Sequence, residues 1–336
     1  MENVGQTSNR GVELSLTGYI IDRPDFTLNA TFNIGRNKNK IDKLASGEKE
    51  MVLSSGWAGS QLLNSDDYRA YVGGTTGLIY GFVNDGFYTV DDFKPFDSKS
   101  RTWTLKDGVV NSSPLSGDPR PGNAKFKKLT PVDENSANPY TLTDDDRTVI
   151  GNTTPKFSGG FGLNATFKGF DVSAFFNFMY DFDVFNANKV MMTTWASNNY
   201  NNFSMDISAA KRWRNFDDMG NEIRYSPEIL AEFNKNATMW NPTSIGRPIA
   251  MSYAVEDGSF LRLNTATIGY TLPRAWTNKV GLSRVRFYAS GYNLFTITGY
   301  SGYDPEVDIA TGLTPNIDNN RYPRSRTYTF GVQLTF

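Results

Sequence analysis

The sequence predicts an all-β fold, an antiparallel transmembrane β-barrel portion of about seven strands with long extracellular loops containing short helices. Three observations carry that expectation. Apolar and polar residues alternate over several stretches, each roughly the 9–11 residues a tilted strand needs to cross a bilayer. Short and long connections follow one another in turn. The last stretch, Tyr328-Thr-Phe330-Gly-Val332-Gln-Leu334-Thr-Phe336, alternates strictly and ends the chain on an aromatic residue. A period of two places one strand face in an apolar medium and the other in a polar one.

Composition narrows the alternatives. No apolar run approaches the length of a spanning helix, and mean hydropathy is -0.45, so a helical membrane protein is excluded. A membrane barrel is compatible, because its strands are apolar on one face only and its loops are hydrophilic. Aromatic residues reach 14%, as expected for girdles at two membrane interfaces, although a soluble carbohydrate-binding β-protein would also be rich in them. The formal charge of -1 gives no reason to expect nucleic acid as a partner. There is no Cys and no His. Thiol chemistry, disulfides, the commonest general base and the commonest zinc ligand are therefore all missing, and no catalytic set is expected. The N-terminus lacks the basic and apolar regions of a signal peptide, which suggests a mature chain or a fragment.

The elements follow in order. In Arg10–Ile21, Val12, Leu14, Leu16 and Ile20 alternate with Glu13, Ser15, Thr17 and Tyr19. Asp22-Arg23-Pro24-Asp25 supplies a tight turn, and Phe26, Leu28, Ala30, Phe32 and Ile34 run back. A polar region from about Asn37 to Thr154 holds one apolar patch, Gly77–Tyr88, readable as a strand. A second hairpin pairs Phe157–Phe167 with Phe170–Tyr180 through Lys168-Gly169. The next polar insertion, about Asp183–Asp257, contains two helical pieces, Met205–Phe216 and Pro227–Asn236, the second with Ser226 as N-cap. Phe260–Leu272 and Arg284–Thr298 form a third pair, in which a change of parity predicts a bulge near Thr265. A polar loop, Gly299–Arg326, leads to the closing strand.

Short turns therefore follow strands one, three and five, and long loops follow strands two, four and six. Outer-membrane barrels have this asymmetry, whereas a sandwich has no reason for it. Bacterial single-chain barrels have an even strand number, and seven is odd. An isolated seven-stranded arc would also leave two unpaired edges in lipid. Residues 1–336 are thus expected to be the C-terminal part of a larger barrel.

Ordered segments along the chain carry a family resemblance. They are Asn9-Arg-Gly-Val-Glu-Leu-Ser15, Ile79-Tyr-Gly-Phe-Val-Asn-Asp-Gly86, Asp144-Asp-Asp-Arg-Thr-Val-Ile-Gly-Asn152, Pro155-Lys-Phe-Ser-Gly-Gly-Phe161 and Lys168-Gly-Phe-Asp-Val172. Ser259-Phe-Leu-Arg-Leu-Asn264, Ile268-Gly-Tyr-Thr-Leu-Pro273, Asn293-Leu-Phe-Thr-Ile297 and Gly302-Tyr-Asp-Pro-Glu306 complete the set. The chain resembles the C-terminal portion of the SusC/RagA family of TonB-dependent outer-membrane transporters of Bacteroidetes. The resemblance implies a plugged barrel of about 22 strands, with the N-terminal plug and the earlier strands absent from this chain. It implies import of oligosaccharides or peptides with a SusD-like surface lipoprotein as lid. Further implied partners are the remainder of the same barrel and its plug, the TonB complex acting through that absent plug, the barrel-assembly machinery and the lipid bilayer. The implied location is the outer membrane, with the C-terminus in the periplasm.

Candidate sites are few. Trp57, Trp103, Trp195 and Trp240 fall in long loops, where an indole ring can stack on a sugar or meet the lid, or instead pack within the loop layer. Trp276, in a short turn, suits an interface anchor. Relatives carry a calcium-loop-like run before the Asp-Asp-Arg segment, but Asp133-Glu-Asn135-Ser-Ala137-Asn138 departs from it after the second position. Calcium then has only Asp144, Asp145 and Asp146 with nearby carbonyls as candidate ligands. The acidic pairs Asp66-Asp67, Asp91-Asp92 and Asp217-Asp218 are expected to be solvated loop acids. Glu13, Asn29, Asn33, Asn164, Asp171 and Asn177 are expected on the lumen face. In the closing strand, Tyr328, Phe330, Val332, Leu334 and Phe336 are expected to face lipid and to form the assembly signal. The leading function is the barrel portion of an importer. Alternatives are a docking component of a larger outer-membrane assembly and a soluble glycan-binding β-protein.

Overall fold

In the computed structural model, residues 5–64, 66–194, 202–306 and 312–336 are described. Seven strands form one sheet: β1 (Gly5–Arg23), β2 (Phe26–Leu44), β3 (Phe157–Phe167), β4 (Phe170–Tyr180), β5 (Phe260–Thr271), β6 (Arg284–Thr298) and β7 (Thr327–Thr335). Each strand pairs antiparallel with its neighbour in sequence, so the sheet order is the chain order. The β3–β4 turn shows why a two-residue link suffices. Lys168 and Gly169 both take positive φ, 46° and 90°, the geometry whose twist matches a hairpin.

Two expectations change. β1 and β2 continue well past the predicted hairpin, because polar Arg36–Leu44 keeps its ladder with Gly5–Val12 instead of opening into a loop. The helical reading of 205–216 reduces to a single 3-10 turn, Met205–Ile207, and the second helix is Pro227–Phe233, where Ser226 makes no side-chain cap bond. The bulge expected near Thr265 is present: the pairing of β5 with both neighbours skips Asn264.

Register divides the sheet into two faces. One row runs Leu16, Phe32, Phe161, Phe176, Leu263, Phe295 across six strands. A second, next to the short turns, runs Phe26, Phe167, Phe170, Tyr270, Phe287, Val332. Tyr180 stands on the same face ten residues along β4 from Phe170. At about 3.3 Å per residue and a tilt near 40°, that separation is about 25 Å, the height of the apolar band of a membrane barrel. The opposite face carries Asn29, Asn164, Ser173, Thr267, Ser290 and Thr329 in one row.

Apart from Ile41 near the end of β2, the largest fully buried side chains lie elsewhere. Tyr68, Phe126, Phe185, Trp240, Met251 and Ile317 belong to one hydrophobic cluster built from all three long loops. Large apolar residues of the sheet are exposed, Phe330 at 80%. A soluble β-protein would show the reverse distribution.

Candidate functional site

The described residues offer two functional surfaces, the polar face of the sheet and the loop layer at its long-loop end. On the sheet, Glu13, Asn29, Asn33, Asn164, Asp171 and Asn177 share one face by register. They are coupled across strands: the Asn164 amide donates to Asn29 Oδ1 at 3.1 Å, and the Gly160 N–H to Asn33 Oδ1 at 2.6 Å. Arg286 on β6 reaches over β5 to Asp171 on β4, its Nε 2.9 Å from Oδ1. Gly269 on β5 lies beneath, where a Cβ would overlap the guanidinium. Phe175, Tyr288 and Tyr292 also stand on this face, so it is polar with an aromatic admixture.

In the closing strand, Tyr328, Phe330, Val332 and Leu334 pair with Gly291, Ala289, Phe287 and Val285. They share the apolar face with those residues, and all four are exposed, as is the terminal Phe336.

The loop layer is a folded cap rather than a set of free loops. A strand at Leu78–Gly81 pairs with Thr148–Asn152, and the Phe82 N–H continues the bonding to Ala250 O in the second long loop. Gly81 is obligatory at that junction, because a Cβ would collide with the Ala250 carbonyl. The third loop joins through a parallel pairing of Phe185-Asn186 with Ile317-Asp318. Tyr300 donates to Asp318 Oδ2 at 2.7 Å, and burial drives its hydroxyl pKa upward.

Arg262 at the cap end of β5 is 3% exposed and lies 2.5 Å from Asp304 and 2.9 Å from Glu306. Arg324 adds a second cation 3.4 Å from Glu306. Two quoted sequence segments, Ser259–Asn264 and Gly302–Glu306, are thus brought together by ion pairs. No spacing in the sequence joins these charges; an Arg amid the apolar residues of a strand is the one local signal.

The tryptophans divide. Trp240 is 1% exposed, with its indole N–H directed to Thr193 O and its ring edge-on to Tyr253, so it belongs to the core and presents no face to a ligand. Trp57 packs partly buried on Phe185, at 5.5 Å between centroids. Trp103 is half-buried between Phe93 and Phe96. Trp195 lies outside the described residues.

Two acids also differ from expectation. Asp67 is 1% exposed, not solvated, and accepts the Ser55 N–H and hydroxyl. Burial pushes its carboxyl up to about 6 against those hydrogen bonds. Asp146 is fully buried and accepts from Leu129, Thr130 and Thr143, with Lys128 Nζ 3.3 Å away. Burial opposes ionisation there, but the hydrogen bonds, first that of the Thr130 hydroxyl, win and hold the carboxyl at about 2. Asp144 pairs with Arg147 and accepts from Asn64. Of the three candidate calcium ligands, Asp146 and Asp144 thus already have protein partners. Among the described residues no grouping of three or more acidic side chains is placed to hold a metal ion.

No model of a known protein family matches the chain. Among curated proteins, TonB-dependent receptor P3 of Formosa agariphila is 30% identical over 342 residues, covering all of this chain and 29% of that protein. TonB-dependent receptor SusC of Bacteroides thetaiotaomicron is 24% identical, again over the whole chain and 27% of its own length. Among solved structures, the RagAB peptide importer in its closed-closed state superposes with a TM-score of 0.67 at 24% identity, over the whole chain and 30% of the other. The chain thus spans less than a third of the length of these relatives.

Proposed function

We propose that this chain, a SusC-like C-terminal barrel portion of a TonB-dependent receptor, forms the wall and part of the outer cap of an outer-membrane nutrient importer. The observation that carries the reading is the division of the seven-stranded sheet into an exposed apolar face and a polar face, with three long loops folded together at one end. That division suits lipid outside and an aqueous path inside. In this reading the cap lies outside the cell, and the short turns and Phe336 lie in the periplasm.

β1 and β7 each pair on one side within the described sheet. Further strands are proposed to meet those edges, since an open edge in lipid leaves backbone groups unsatisfied. The polar face, with its aromatic residues, would then pack against a plug that couples to TonB. The relatives include SusC and the RagAB peptide importer. By that likeness, a SusD-like surface lipoprotein is proposed to close over the cap, with oligosaccharides or peptides as cargo.

Affinity purification from native outer membranes tests this. A surface lipoprotein should co-purify, and deleting the gene should abolish TonB-dependent uptake of the nutrient it serves. Unchanged uptake with a stable complex would favour a docking component instead.

A further inference from the structure

The cap contains one continuous cleft lined by arginines. Its larger lobe, about 720 Å³, includes Arg101, Trp103, Arg120, Arg224 and Tyr225. A second lobe of about 490 Å³ adds Arg212 and Arg214 and shares Asn215, Arg224, Asn241 and Thr243 with the first. The cleft therefore lies where the first and second long loops meet. Five arginines line it against two carboxylates, Asp118 and Asp217. Asp217 is already occupied by the N–H groups of Met219 and Asn221 and the Asn221 amide. Arg214 pairs with Asp218 and Arg224 with Glu222, whereas Arg101 and Arg120 have no carboxylate partner among the described residues.

Aromatic rings hold the guanidiniums of Arg101 and Arg224 in place. Arg101 lies 5.2 Å over Tyr225, and Arg224 lies 5.7 Å from the same ring and 5.5 Å from Phe216. Phe96 stacks on Tyr225 from within the cap. Laid on a ring with no carboxylate beside it, the Arg101 guanidinium keeps its in-plane N–H edge free for an oxyanion. Arg224 instead pairs its Nε with Glu222 and has its two terminal nitrogens left for one. Arg101 adopts a left-handed backbone, φ 56°, uncommon for a residue other than glycine. Asn215, with the Asn123 Oδ1 and the Asn241 amide nitrogen that internal hydrogen bonds leave over, supplies donors and acceptors that match sugar hydroxyls. Leu230 is the only branched aliphatic side chain among the lining residues; the rest of the apolar lining is proline and the rings of Trp103, Tyr225, Phe203, Trp213 and Phe216, which can stack on a sugar face.

We propose that this cleft binds an anionic oligosaccharide, its carboxylate or sulfate groups held by Arg101, Arg120 and Arg224. This rests on the import reading and names its substrate class. The test is isothermal titration of the intact transporter, purified in detergent, with tetragalacturonate, a sulfated carrageenan tetrasaccharide, neutral maltotetraose and tetraglutamate. At least one acidic saccharide should bind about tenfold or more tightly than maltotetraose. Arg101→Gln with Arg120→Gln should weaken that binding about tenfold, with no change for the neutral sugar. Both side chains are exposed, so the variant should keep its heat-modifiable migration. Arg101→Lys with Arg120→Lys should restore only part of the loss, because an ammonium cannot make the bidentate contact. Equal binding of acidic and neutral saccharides, an unaffected double variant, or tightest binding of tetraglutamate would each overturn the proposal. Uptake of the native nutrient, measured separately, shows whether the import reading stands when the acidic preference fails.

Discussion

The guanidinium of Arg262 lies 2.5 Å from the carboxylate of Asp304, forty-two residues further along the chain, and both side chains are buried. This pair, with Glu306, clasps the third long loop onto the end of β5. Removing one partner leaves a buried charge uncompensated, which costs on the order of 3 kcal/mol. Arg262→Met should free residues 299–306 to hydrogen exchange while the sheet stays protected. Adding Asp304→Asn and Glu306→Gln should recover much of that protection, since the orphaned charges are then gone.

Asp146 and Asp67 give opposite pH dependences. Asp146 falls from 3.8 to about 2 on folding, so its contribution, about 2 kcal/mol, is complete above pH 3.8 and is lost as pH falls through 2. Asp67 rises from 3.8 to about 6, so the folded cap holds a proton that the unfolded chain releases. Its effect is a loss of about 3 kcal/mol as pH rises from 3.8 to 6. Thermal melts followed by the buried Trp213 and Trp240 should show the cap gaining stability on acidification through that window. Asp67→Asn should remove the gain, and Asp146→Asn should destabilise the cap at neutral pH.

Leu163 and Asn164 are adjacent on β3 and belong to opposite faces. Leu163→Arg places a cation in the apolar band, four residues from the Phe167 row, at a cost of about 2–4 kcal/mol. Asn164→Arg keeps it in the polar interior. Heat-modifiable migration and membrane yield should fall for the first variant and hold for the second. Equal loss would contradict the assignment of faces.

Gly269 makes room for the Arg286–Asp171 pair that bridges β4 and β6. Gly269→Val should displace the guanidinium and lower the unfolding temperature of the sheet by several degrees. Thermal unfolding followed by circular dichroism would show it, and no shift would mean that the pair is dispensable.

The sheet was legible because its signal is local. Alternation marks Phe157–Phe167 and Tyr328–Phe336 directly, Lys168-Gly169 marks its turn, and the parity change at Thr265 reveals the bulge at Asn264. The cap was not legible, because its core draws residues from Tyr68, through Phe126 and Trp240, to Ile317 with no period connecting them. Asp67 reads as a solvated loop acid, and Trp240 is left between ligand stacking and packing in the loop layer, for that reason: their burial comes from other loops. The cleft arginines, spread from Arg101 to Arg224, carry no spacing that would have joined them. In Arg36–Leu44, polarity suggested a loop where backbone pairing with β1 maintains a strand.

The most direct test is the side of the membrane on which each end of the sheet lies. The chain contains no Cys, so single cysteines placed in it add no background from its own residues, and the cysteine-free parent labelled in parallel supplies the rest. Asp145→Cys in the cap and Lys168→Cys in a short turn would be exposed to a membrane-impermeant maleimide on intact cells carrying the transporter. The account predicts labelling of Asp145→Cys on intact cells, and of Lys168→Cys only after the outer membrane is permeabilised. Labelling of Lys168→Cys on intact cells, or protection of Asp145→Cys there, would contradict it.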